Sequence, residues 1–359
     1  MIEGPVFRRG LSYHSRFVRS GSGGRNAVSL QDVAKKAGVG TATVSRVLNG
    51  HPDVKGSTRA RVLRAIEALK YLPNLHARSL AGGQNRVLGV VLANLYNPFY
   101  GDICQAIERN AVRRGYEIEL SNAHTDLKEV STCVRRFLGQ KVSGLALFPE
   151  TELEFVDELQ AANIPVVQYD SGSAGGNITS MHFEHRKGTR MLVDLLYALG
   201  HRRMAYIAAP RYVPCTDARR LEFLETAARY AVEAGVFEPV ADGFAGGREA
   251  TRELLRSPFA PTAILCVNDW IAVGAIRELR NRGIAVPGEV SVTGFDNITM
   301  AEFCCPSLTT IHIPRAEIGR LVVEALTPDA AGALLPARHI SLDPELVVRE
   351  STGAAPRAV

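Results

Sequence analysis

Between Ser29 and Asn49 the sequence places side chains whose chemistry suits the reading of a nucleic acid. Arg46 presents a planar fork of donors matched to guanine O6 and N7, Thr41 offers a hydroxyl and a methyl, and Ala42 offers a small apolar contact for a thymine methyl. Ser29, Thr43, Ser45 and Asn49, with the amides of helix N-termini, suit phosphate oxygens, which fix register but carry no base information. The plainer alternative is that Thr41 only caps a helix and Arg46 is a solvated surface charge. The element that carries these residues decides between the two.

That element reads as a helix-turn-helix. Ser29 precedes a helical pattern with Leu30, Val33, Ala34 and Ala37 on one face, and Gly38 stops it. Thr41 opens a second short helix with Val44, Val47 and Leu48 inward, ended by Asn49-Gly50. A third helix over Ser57 to Lys70 turns Val62, Ile66 and Leu69 inward, and Pro73 closes it. In such units the second helix lies in the major groove and its N-terminal residues reach base edges, which makes Thr41, Ala42 and Arg46 the candidate readers. Charge agrees: residues 1–86 hold fifteen Lys and Arg against four Asp and Glu, whereas residues 87–359 hold twenty-seven against thirty-three. A basic head on a mildly acidic body implies that one end meets a polyanion. Residues 1–26, with five arginines and a Ser-Gly-rich end, read as a flexible tail, either a basic arm that adds affinity for DNA or an inert extension.

Beyond the linker Leu75 to Gln84 the period changes. The run Val87 to Leu92 is continuously apolar, as in a strand covered on both faces. Helices and strands then alternate: helix Phe99–Arg114, strand Tyr116–Leu120, helix Leu127–Gln140, strand Gly144–Phe148, helix Leu153–Ala162 and strand Pro165–Tyr169. After Gly172 to Gly176 a second series follows: helix Phe183–Leu199, strand Met204–Ala208, helix Ala218–Ala234, strand Val240–Asp242, helix Gly247–Leu255, strand Ala263–Val267, helix Trp270–Arg282 and strand Val290–Gly294. Two βα series predict an α/β body of two lobes with two parallel sheets, with a ligand crevice beyond the carboxyl ends of the strands. Six scattered cysteines without C-x-x-C spacing, no apolar run near the ~18 residues of a membrane span, and no signal peptide predict a reduced, cytoplasmic protein. The sequence holds no G-x-x-x-x-G-K-[ST], no G-x-S-x-G and no G-x-G-x-x-G opening a helix after a strand, so nucleotide-dependent and hydrolytic enzymes are disfavoured and no cofactor or metal site is expected.

The segment Ser29-Leu-Gln-Asp-Val-Ala-Lys-Lys-Ala-Gly-Val-Gly-Thr-Ala-Thr-Val-Ser-Arg-Val-Leu-Asn49, followed by Tyr71-Leu-Pro-Asn74 and Ala77-Arg-Ser-Leu-Ala81, closely resembles the lactose-repressor (LacI/GalR) family. The resemblance continues through Asn97-Pro-Phe99, Arg114-Gly-Tyr116, Gly200-His201, Asn268-Asp269, Gly294-Phe-Asp296 and Leu308-Thr-Thr-Ile311, from residue 29 to about 352. It implies a head over 29–74, a hinge helix and linker over 75–86, a periplasmic-binding-protein-like body for effector binding and dimerisation over 87–352, and a tail over 353–359. It implies a dimeric, ligand-responsive transcription repressor of a near-palindromic operator, with Arg78 and Leu80 of the hinge on the DNA and Leu80 wedged into the minor groove.

The same resemblance places effector contacts at Phe99, Tyr100, Asp170, Arg219, Phe244, Asn268 and Asp296. Aromatic faces would cover a ring, Arg219 would donate a bidentate pair to hydroxyls or a carboxylate, and Asn268 and Asp296 would exchange hydrogen bonds with hydroxyls. Trp270 either lines the pocket or packs on the sheet. The mixture suits a sugar or sugar derivative whose binding releases DNA; a corepressor-dependent repressor and a solute-binding protein are the alternatives. Two departures stand out. Val213-Pro-Cys215 replaces the polar stretch of purine-responsive members, which argues against a purine, and Glu222 occupies a position where many members carry glycine.

Overall fold

Ser29 opens the first helix, α1 (Leu30–Ala37), by closing a capping box with Asp32: its hydroxyl oxygen accepts from the Asp32 amide, and the Asp32 carboxylate accepts from the Ser29 amide at 2.8 Å. Gly38 ends α1 in the left-handed region (φ 62°), where its amide caps the carbonyls of Ala34 and Lys35. The Gly40 carbonyl takes the first bonds of α2 (Thr41–Leu48), so Thr41 is a helical residue and not the cap. The third helix is α3 (Gly56–Leu69), and Val33, Ala34, Ala37, Val44, Val47, Val62 and Ala65 form the buried centre of the three. This computed structural model describes residues 28–48, 51–71, 85–123, 126–149, 156–170, 174–210 and 214–356. The chain divides into two units, Met1–Gly83 and Gln84–Val359.

The second unit has two lobes. The first is built on β1 (Val87–Leu92), α4 (Pro98–Arg113), β2 (Glu117–Asn122), α5 (Leu127–Gly139), β3 (Gly144–Phe148), α6 (Val156–Ala161), β4 (Val166–Tyr169) and β5 (Ile178–Phe183). The second follows with α7 (His185–Ala198), β6 (Arg203–Ile207), α8 (Pro214–Arg229), β7 (Glu233–Phe237), α9 (Gly243–Arg256), β8 (Ala263–Cys266), α10 (Asp269–Asn281), β9 (Ser291–Thr293), α11 (Thr299–Phe303) and β10 (Thr310–His312). The chain then returns to the first lobe as α12 (Arg315–Leu326), packed on α4, and as β11 (His339–Leu342), before β12 (Glu345–Val347) pairs antiparallel with β10. The sheets run β2-β1-β3-β4-β5-β11 and β7-β6-β8-β9, and every pairing in them is parallel. Helices therefore cover both faces, which accounts for strands as apolar as Val87–Leu92. Among the described residues no helix is long and apolar enough to cross a membrane.

Two of the expected elements need correction. The helix expected over Ala218–Ala234 ends at Arg229, and the strand expected at Val240–Asp242 is instead β7, at Glu233–Phe237. Glu-Ala-Gly has little strand propensity of its own, but pairing with β6 along all five residues overrides it. Strand β5 is an element beyond those expected, and it takes Phe183 from the helix expected over Phe183–Leu199, which begins at His185.

Glycine sets the spacing in the second lobe. A Cβ on Gly247 would fall 2.0 Å from the Ile271 carbonyl oxygen and one on Gly274 2.3 Å from that of Phe244, so α9 and α10 meet backbone to backbone. Glu278 on α10 reinforces the pair: Arg252 and Arg248 of α9 reach it at 2.8 and 3.3 Å and Arg282 at 3.4 Å. The Arg252 hydrogen bond foremost, opposed by burial and helped by Arg248 and Arg282, holds its carboxyl at a pKa of about 2. Because the folded value lies below the ordinary 4.5, this stabilisation is present above that pH and is lost as pH falls towards 2. We expect Glu278→Gln to cost about 2–3 kcal/mol at neutral pH, the full linkage value being discounted for the half-exposed arginines. Chemical denaturation at pH 7 and pH 2.5 checks this, since the gap between wild type and variant should shrink at the lower pH.

Candidate functional site

The residues expected to read bases sit on one exposed surface of the head: Thr41, Ala42 and Arg46 of α2 are exposed, whereas Thr43 and Ser45 are half-buried. The Ser29 hydroxyl donates to the Asp32 carboxylate at 2.7 Å, which leaves the α1 N-terminal amides as the group able to meet a phosphate there. Asn49, Arg78 and Leu80 lie outside the described residues.

In the body, a cavity of about 50 Å³ opens where the strands of both lobes end. Six of the seven expected ligand residues line it: Phe99 and Tyr100 from the first turn of α4, Asp170 beyond β4, Arg219 of α8, Asn268 at the end of β8 and Asp296 beyond β9. Phe244 is elsewhere. It lies in the first turn of α9, 36% exposed, with its ring edge-on to Trp270 at 5.9 Å, and neither ring is among the lining residues. Asn97, Phe148, Pro149, Tyr169, His185 and Thr216 complete the lining, and sequence reasoning missed them. The spacing of Phe148 and Tyr169 at the carboxyl ends of expected strands was an available signal.

His185 organises the charges. Its Nε2 lies 2.7 Å from the Asp170 carboxylate, and its Nδ1 accepts from Arg219 Nε at 3.1 Å, so the tautomer that satisfies both contacts is the neutral one with hydrogen on Nε2. Burial foremost, together with Arg219, outweighs Asp170 and pushes the imidazole below its ordinary pKa. Arg219 also donates to the Val267 carbonyl at 2.6 Å, lies 3.6 Å from Asp296 Oδ1, and covers the Phe295 ring at 3.8 Å. The backbone around the cavity is held in sparsely populated conformations: Asp170 has φ 51° and Asp296 φ 107°. Asp296 is pinned there because its amide donates to Ile311 and its carbonyl accepts from Arg315, which also holds the Asn297 carbonyl and pairs with Asp102 of α4 at 3.1 Å. Asn268 caps α10, accepting from the Ile271 amide at 2.8 Å. Asp269, fully buried, accepts from Thr310 and Ile298; burial and the nearby Asp296 charge raise its pKa well above the usual carboxylate range. Glu222 binds Arg190 and Arg186 at 2.7 and 2.9 Å and takes the Thr226 hydroxyl, which ties α7 to α8 behind the cavity. Such a site binds and orients polar groups against aromatic walls.

Residues 29–74 match the model of bacterial regulatory proteins of the lacI family, and residues 193–352 match a periplasmic binding protein-like domain. Catabolite control protein A of Priestia megaterium is 31% identical over 334 residues, 90% of this chain and 99% of the relative. The ribose operon repressor of Escherichia coli K12 is 33% identical over 334 residues, again 90% and 99%. Among solved structures, the lac repressor dimer bound to operator and the anti-inducer ONPF superposes with a TM-score of 0.79 at 31% identity, covering 91% of this chain and 99% of that one. With head and body both matched in order along nearly the whole length of these relatives, the chain belongs to the lacI family of bacterial regulatory proteins.

Proposed function

We propose that this protein is a homodimeric, cytoplasmic repressor that holds a near-palindromic operator and releases it when a small sugar or sugar derivative enters the cavity between its lobes, and that it catalyses no reaction. The observation that carries this reading is the chain Asp170–His185–Arg219–Asp296, in which polar groups from both lobes converge between Phe99, Tyr100, Phe148 and Tyr169. Hydroxyls can exchange bonds with the charged groups while the aromatic rings cover the C–H faces of a sugar ring. Because the donors belong to two bodies, occupancy favours one lobe arrangement over another, and only such differential affinity lets a ligand change DNA binding. The lac repressor dimer seen on its operator supports the same assembly here. Thr41, Ala42 and Arg46 then read bases, the α1 amides behind Ser29, together with Thr43, Ser45 and Asn49, meet phosphates, and Arg78 and Leu80 complete the contact from the hinge.

A thermal-shift screen of sugars finds the ligand, since a molecule that binds only the folded state raises the melting temperature. Asp296→Asn, which tolerates the positive φ, and Arg219→Lys, which removes the fork, should fold and bind operator yet need at least tenfold more of that sugar, roughly 1–3 kcal/mol per lost charged hydrogen bond. A normal response in either variant removes that residue from the site, and tighter operator binding with sugar would establish corepression instead.

Arg46→Ala should lower the preference for operator over random duplex by about 1–3 kcal/mol while changing non-specific binding little. Filter binding or fluorescence anisotropy on both duplexes checks it. Affinity for either duplex should fall steeply and linearly in log–log form as salt rises, because Lys35, Lys36, Lys55 and Arg59 neutralise phosphates and release counterions. A flat salt plot contradicts DNA binding by this head.

A further inference from the structure

The first lobe carries a polar patch that the ligand cavity does not use. On the sheet face lined elsewhere by Leu145, Leu147, Val166 and Ile178, the register sets Gln168 of β4, Ser180 of β5 and His339 of β11 in one row and His182 and Ser341 in the next. The His182 and His339 rings lie 4.9 Å apart, 33° from parallel, on adjacent strands. The fully buried Ser180 hydroxyl holds one nitrogen of His182 at 2.8 Å, and the Ser341 hydroxyl donates to Glu184 at 2.9 Å. Gln168 is completely buried, and neither polar atom of its side chain has a hydrogen-bond partner. An amide in that condition ordinarily faces something that bonds to it.

We propose that His182 and His339 together bind one divalent transition ion of the borderline class, such as Zn²⁺, Ni²⁺ or Cu²⁺. Imidazole nitrogen suits these ions, and a metal–nitrogen distance of about 2.0–2.1 Å lets one ion reach both rings after small side-chain rotations. The Ser180 hydroxyl orients one ring as outer groups do at metal sites, and the Gln168 carboxamide supplies a donor and an acceptor for water around the ion. Among the described residues no group of three or more His, Cys, Asp or Glu is placed to hold a metal, so water completes the shell and the affinity is that of an exchangeable ion. The position gives the ion a role. Strands β5 and β11 run directly into two of the passages between the lobes, at Glu184 and Asp343, and an ion bridging them stiffens the base of that hinge.

The test uses the full-length, tag-free protein titrated with CuCl₂ and ZnCl₂. Electron paramagnetic resonance of the Cu²⁺ complex should show coupling to two imidazole nitrogens, and ZnCl₂ should raise the melting temperature. Both His182→Asn and His339→Asn should lose the two-nitrogen signal and the Zn²⁺-dependent shift and weaken Cu²⁺ at least tenfold, with circular dichroism unchanged; His339 is exposed, so its replacement leaves folding intact. Unchanged Cu²⁺ coupling in either variant, or no binding by the wild type, overturns the proposal.

Discussion

Arg219 sits where the two lobes must agree. A guanidinium cannot be buried without acceptors on several sides, and here they come from a neutral imidazole, a backbone carbonyl and a carboxylate, with an aromatic face beneath. Each depends on something further. The imidazole stays an acceptor only while Asp170 takes its other nitrogen, and Asp170 belongs to the strand ends of the first lobe. Asp296 stays in place because Ile311 takes its amide and Arg315 clamps its carbonyl from the start of the helix that carries the chain back to that lobe. Protonating His185 would turn its Nδ1 into a donor facing Arg219, which explains why burial is used to keep the ring neutral.

How much of this was legible in the sequence depends on how local the cause was. Helix ends in the head were readable because Ser29 caps a neighbouring amide and Gly38 the nearby carbonyls, and the parallel strands announced themselves through runs such as Gly144–Phe148. Six of the residues expected at a ligand site from their family positions line one cavity, five of them just beyond the carboxyl ends of strands and Arg219 on α8. His185 was missed because its role comes from Asp170, fifteen residues back, and Arg219, thirty-four ahead, and no pattern along the chain links the three. Phe244 lies off the cavity lining for a related reason: Gly243 and Gly274 bring α9 so close to Trp270 and α10 that the ring packs edge-on against the tryptophan. Strand β7 was lost where a partner strand overruled weak propensity.

The two departures from family pattern have different standing. Glu222 has a physical account: with Arg186 and Arg190 on the facing helix, the carboxylate at that point is paired with two guanidinium groups although its side chain is wholly buried. Burial pushes its pKa up, and the arginine and threonine contacts more than offset this, leaving it below the ordinary carboxylate range. Val213 lies outside the described residues.

The three passages between lobes also govern the order in which the molecule can assemble. The first lobe is not a continuous stretch of chain: its edge strand, His339–Leu342, and the helix whose Gly319 nests against Ala106 of α4 are made last. A ribosome releasing residues 85–183 therefore presents a sheet lacking its last strand, with an α4 face that stays uncovered until about 140 further residues have emerged, so the second lobe, contiguous up to β9, can close first. Long-separation contacts of this kind slow folding. For this chain the expected slow step is the return of residues 315–342 to a lobe begun by residues 85–183, and a truncation near residue 310 leaves that lobe unfinished, whatever the state of the head.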